Sequence, residues 1–238
     1  MAKSNNNQKS NNNKFARTIA LGVSIITIIT FSIALLAVPI SGPFCFGDCI
    51  EYPYVDDIIN QYPHDYFWMF PAILLTLFYL AIIITLHHIT SSEKRIYSLL
   101  AVSLAILSTG ILAVNYFVQV SIIQPSLLNG ETEGIALFTQ YNPHGLFIAL
   151  EEIGYIIMSI SFLAIAPVFS KNNRLGKAIK TTLFLAFGLS ALSLIYVIIR
   201  YGLKREYIFE VYIITINWLC LIFVGFLLFR FFKTKEVE

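Results

Sequence analysis

The sequence predicts an all-α polytopic integral membrane protein, a six-transmembrane-helix bundle with both termini cytoplasmic, and three observations predict it. Hydrophobic residues make up 57% of the 238 and charged residues 13%, with a mean hydropathy of +0.74. A water-soluble domain carries about 25% charged residues, and a chain this short has no interior in which to hide so much apolar surface. Six runs reach the about 20 apolar residues that a helix needs to cross roughly 30 Å of hydrocarbon, and they are apolar on every face, unlike the alternating strands of a β-barrel. Thirteen of the sixteen Lys and Arg residues flank these runs on one side. That asymmetry places both termini inside.

Taken in order, residues 1–16 are a polar, basic tail with AsnAsnAsn at two places, a composition that cannot bury a core and reads as disordered. The transmembrane domain, 17–232, opens with a span at 18–40. It follows Lys3, Lys9, Lys14 and Arg17 as a signal peptide's apolar region would, but it is too long for one and lacks an Ala-x-Ala site, so it is expected to remain as a signal anchor. An outer loop, 41–66, carries Cys45 and Cys49 on what this topology makes the oxidising side. A local disulfide is expected there; the alternative is a redox-active pair, against which stand the C-x-x-x-C spacing and the lack of a second thiol pair. Tyr52, Tyr54, Tyr62, Tyr66 and Trp68 around this loop fit an interfacial aromatic belt, or else a surface that stacks on carbohydrate or lipid headgroups.

Spans 67–86 and 96–120 are joined by an inner turn bearing Lys94 and Arg95, and a second outer loop, 121–144, follows. Span 145–169 has Asn142 as a candidate N-cap and Pro143 at the first helical position, so it is expected to project about two turns beyond the hydrocarbon. An inner connection with Lys171, Arg174, Lys177 and Lys180 leads to span 181–199. Arg200, Lys204 and Arg205 are the three basic residues outside, span 211–229 returns inward, and 233–238 is a short inner tail. Ala101, Ala105, Thr109 and Ala113 on the third span, and Thr182, Ala186 and Ser190 on the fifth, form ribbons of small side chains. Such ribbons make close helix contacts, within the chain or with a homo-oligomer or membrane-protein partner.

Depth can be counted from the inner charges at about 1.5 Å per residue. Glu151 and Glu152, Asn115 and Arg200 all come out about 30 Å from the nearest inner cation, at the outer edge. Most acidic residues lie there too, among them Asp57, Asp65, Glu206 and Glu210. No Asp, Glu, Lys, Arg or His falls near the midplane, where Asn217 is the deepest strongly polar side chain. A retinal Schiff base, an Arg-ladder voltage sensor and a carboxylate-based proton pump are thereby excluded. The four His do not form facing pairs on two helices, which argues against a transmembrane haem.

The candidate ligand-binding cluster on the outer face is therefore His64, Asp65, Asn115, Gln119, His144, Glu151, Glu152 and Arg200. For Glu151 and Glu152 the plain reading is interfacial solvation with pairing to Arg200, set against a ligand site or acid–base chemistry. For Asn115, Gln119 and Asn217 it is interhelical hydrogen bonding, set against substrate contact. Portable nucleotide, zinc and serine-hydrolase motifs are missing, and no metal or cofactor is expected. A net charge of +2 gives no reason to expect nucleic acid.

The function expected is a non-enzymatic protein with an outward-facing polar site for a small ligand, lipid headgroup or protein partner. Two alternatives stand beside it. One is a transporter or permease subunit with a polar path at Asn217; the other is an interfacial enzyme acting on lipid or isoprenoid substrates through His144 with Glu151 or Glu152. The partner expected in every case is the lipid bilayer. The Asn, Ile and Lys bias and the short loops point to the plasma membrane of a bacterium or archaeon.

Overall fold

The computed structural model describes residues 2–38, 45, 50–170 and 173–237, and no strand occurs among them. Six helices are long and apolar enough to cross a membrane. In chain order they are α1 (Ala2–Ala37), α2 (Met69–His88), α3 (Arg95–Val118), α4 (Leu146–Ile165), α5 (Arg174–Tyr201) and α6 (Ile208–Val237), with short helical turns at Val55–Ile58, His64–Tyr66 and Ile135–Phe138.

Three boundaries depart from expectation. Residues 1–16 were expected to be disordered, yet the helical backbone runs from Ala2. Neither Gly nor Pro occurs between Ala2 and Thr18, so nothing interrupts the hydrogen-bond ladder that the apolar part of α1 starts. The third span does not stop at 120: it continues through a wider π-turn at Gln119–Ile123 and a last α-helical segment at Gln124–Leu128. Pro125 lacks an N–H and crowds the carbonyl four residues back, and the looser turn before it absorbs that mismatch.

Span four begins at Leu146 with Gly145 as its N-cap, not at Pro143. Asn142 is used for a turn of its own instead of a helix cap. Its Oδ1 accepts the His144 N–H at 2.9 Å, its Nδ2 donates to the Ala136 carbonyl at 2.7 Å, and its carbonyl accepts the Gly145 N–H at 2.9 Å. A side chain at Gly145 would lie 2.9 Å from the Leu137 carbonyl oxygen, so glycine is what lets the chain turn there.

Neighbours in sequence are neighbours in space. The helices form a ring, α1 to α2, α2 to α3 and so on until α6 closes against α1, and α4 leans across to touch α6. The burial of their apolar windows follows from this, at 61% for α4 and 22% for α5. Hence α4 is the central helix.

Close approaches are made by small residues. Ala101 and Ala105 of α3 are fully buried, and α4 answers them with Ser161, which donates to the Ala101 carbonyl at 3.0 Å. Ser108 donates to the Gly154 carbonyl at 2.8 Å, and Thr109 to the Thr76 carbonyl of α2 at 3.1 Å. Ser190 of α5 meets Ser159 of α4 at 3.0 Å. These parts of both small-residue ribbons are therefore buried within the chain. Between α1 and α6, Gly225 lies against Ala20 and Ser24, and Ser24 donates to the Ile222 carbonyl at 2.8 Å. This pair is antiparallel, so the chain ends share one end of the bundle; the opposite end is called distal here.

Candidate functional site

The polar residues of the distal end divide into brackets, exposed groups and one acidic pair. Asn115 donates to the Phe147 carbonyl at 3.0 Å and ties α3 to the start of α4. Gln119 donates to the Phe138 carbonyl at 2.7 Å and accepts the Gln140 N–H at 3.2 Å, which anchors the loop before α4. Asp65 accepts the Tyr141 hydroxyl and, at 3.4 Å, Gln140 Nε2, while Tyr207 donates its hydroxyl to the Tyr141 carbonyl. Burial, then the charge of Asp65, holds the Tyr141 hydroxyl well above the ordinary tyrosine range, so it stays a donor. These groups roof the bundle.

His64, His144 and Arg200 are exposed. His64 packs on Phe67, and His144 lies before the first residue of α4, so it and Glu151 are not on one helix face, as a helix starting at Pro143 would have put them. Pairing of the two glutamates with Arg200 is also corrected. Arg200 lies over its neighbour Tyr201, whereas Glu152 is bridged by Arg205 at 2.6 and 2.8 Å. The reason is positional: Arg205 follows the turn at Gly202–Lys204 that bends the chain back toward α4, and Arg200 precedes it on an outward face of α5.

Glu151 is not at a solvated interface; it is 0% exposed. Its Oε1 accepts the Tyr116 hydroxyl at 2.7 Å, Tyr116 and Tyr155 hydroxyls meet at 3.0 Å, and Trp218 Nε1 donates to Tyr155 at 2.8 Å. Because Tyr116 spends its single proton on Glu151, Tyr155 must donate to Tyr116. The chain from Trp218 to Glu151 thus runs one way, with every donor aimed toward the carboxyl. Glu151 Oε2 has no hydrogen-bond partner, and the Glu210 carboxyl belongs to the same cavity wall. Glu210 is the group that sequence reasoning missed. The depth count held the signal, since Glu210 lies 20 residues before Arg230, at the level of Asn115 and Arg200.

Glu151 and Glu210 both line a cavity of about 360 Å³ between α1, α4, α6 and the loop before α4. Its walls are mainly apolar and aromatic, from Phe31, Ala34 and Leu35 of α1, Trp68, Phe147 and Trp218, with Gln140, Tyr141 and Tyr207 as further polar groups. None of the described residues lining it is basic. Of the expected cluster only Glu151 lines it.

Asn217 does not line this cavity. It is fully buried, donates to Ser159 Oγ at 3.0 Å and to the Ile213 carbonyl at 2.8 Å, and accepts from Ser159 at 3.2 Å. It ties α6 to α4, and Ser159 in turn reaches Ser190 of α5.

Cys45 is disulfide-bonded and Cys220 is a buried free thiol; Cys49 lies outside the described residues. Among the described residues no three His, Cys, Asp or Glu side chains are grouped closely enough to hold a metal ion. No protein-family model matches the chain, and neither a curated protein nor a solved structure matches it.

Proposed function

We propose that this chain is a non-enzymatic, multi-pass protein of a bacterial or archaeal plasma membrane, with cytoplasmic termini, that binds a small amphipathic ligand in its outward-facing distal cavity. The observation that carries the reading is the pairing of aromatic walls with two carboxyl groups in one cavity of ligand-pocket size. Apolar surface gives such a site its affinity, and a few convergent polar groups fix orientation.

Less supports the alternatives. The Asn217 amide is engaged by Ser159 and the Ile213 carbonyl, and neither His144 nor Asn217 lines the cavity. The test is native mass spectrometry of the gently solubilised chain. A discrete retained mass, lost when Ala34→Trp fills the cavity, is the expected result; a wild-type chain carrying only bulk lipid would overturn the reading.

A further inference from the structure

We infer that the cavity takes a monocationic amphiphile, a protonated primary amine on a single apolar tail, with its ammonium held by the Glu151–Glu210 carboxyl pair. This rests on the ligand-binding reading above and names the ligand class. The acidic lining carries it. Glu151 and Glu210 both line the cavity, no described residue of its walls is basic, and the buried Glu151 Oε2 has no hydrogen-bond partner. An ammonium brings positive charge and three donors to a site where Glu151 Oε2 has no partner in the protein.

Nothing on the described walls supplies the missing positive charge. The nearest guanidinium, Arg205, is engaged by Glu152 through two nitrogens. Behind Glu151 stand Tyr116 of α3, Tyr155 of α4 itself and Trp218 of α6, neutral donors whose chain ends on its Oε1. Asp65, the other buried acid of this end, has its own donors in Tyr141 and Gln140.

Size and walls set the rest. A space of about 360 Å³ is at the small end of ligand pockets and suits one short chain, not a two-chain lipid. Trp68 and Trp218 present rings that attract a cation as well as an apolar tail. A carboxylate ligand would bring a third acidic group to a cavity whose described walls hold no basic residue, and an alcohol would bring no charge.

The chain has two Trp residues, and both line the cavity, so intrinsic fluorescence reads the site directly. The purified full chain in detergent is titrated with octylamine, octan-1-ol and octanoate, and then again as Ala34→Trp and as Glu151→Gln/Glu210→Gln. Octylamine should bind at least about tenfold more tightly than octan-1-ol, the lower end of what a charge-assisted hydrogen bond contributes, and octanoate should not bind. The double Gln variant should lose the preference for the amine while keeping the alcohol. Equal binding of amine and alcohol to the wild type, a comparison that needs no variant to fold, overturns the cation assignment and leaves the cavity reading standing. Failure of all three probes to bind, or binding that Ala34→Trp does not alter, overturns both.

Discussion

Gly225→Ala tests the closest helix contact in the bundle, the crossing of α1 and α6 that walls the candidate site. A Cβ at this position would lie 2.2 Å from Ser24 Oγ, 2.7 Å from the Ala20 carbonyl oxygen and 3.1 Å from the Ser24 backbone nitrogen. Two of these three atoms are backbone, so a rotamer change cannot relieve the clash and the helices must separate. Overpacking of this kind costs about 1–3 kcal/mol, and loss of the Ser24 to Ile222 hydrogen bond adds about 0.5–1.5 kcal/mol. Against this, alanine is about 1 kcal/mol better than glycine in a helix. The net expectation is a loss of about 0.5–3.5 kcal/mol, or roughly 1–14 °C in the unfolding midpoint for a chain of this size.

Gly110 is the internal standard, because a Cβ there meets nothing within 4 Å. Gly110→Ala should therefore raise the midpoint by the helix-propensity gain alone. Both variants are followed by thermal unfolding in one detergent with Trp fluorescence, since Trp218 of α6 packs edge-on against Phe31 of α1. If Gly225→Ala raises the midpoint as Gly110→Ala does, the close approach of α1 and α6 is refuted, and the cavity they wall goes with it.

Other perturbations separate the polar groups by role. Arg205→Gln removes the partner of the buried Glu152, and, after discounting for its partly exposed guanidinium, should cost about 1–2 kcal/mol in denaturant unfolding, while Arg200→Gln stays within about 0.5 kcal/mol; equal effects would restore Arg200 as the partner. Tyr116→Phe should cost about 1.5–3 kcal/mol, since it removes a donor from a buried carboxyl. Combined with Tyr155→Phe it should cost less than the sum of the two single changes, because both belong to one hydrogen-bond chain; strict additivity in the double-mutant cycle would refute that chain. Asn217→Leu should lower stability by about 0.6–1.7 kcal/mol, the range of interhelical hydrogen bonds in membrane bundles, and leave octylamine titrations unchanged; a loss of probe binding would show that Asn217 belongs to the site.

Sequence alone determined the number of long helices, their approximate bounds and their all-helical class. Those are one-dimensional properties: a run of about 20 apolar residues declares itself wherever it sits, and depth along a helix is counted residue by residue. The same count put Glu151, Glu210, Asn115 and Arg200 at one level. It could not say which of them meet, because depth is one coordinate and the rotation of each helix about its axis is another, fixed only by packing. Tertiary structure turned Glu151 inward to Tyr116 and Glu210, left Arg200 on an outward face of α5, and brought Arg205 to Glu152 through the turn at Gly202–Lys204. It also gave Asn142 to a local turn instead of a helix cap, since the Ala136 carbonyl and the His144 N–H compete for the same side chain. The cavity belongs wholly to this second kind of information: its walls come from α1, α4, α6 and a loop, segments far apart in sequence, and no single segment carries its shape.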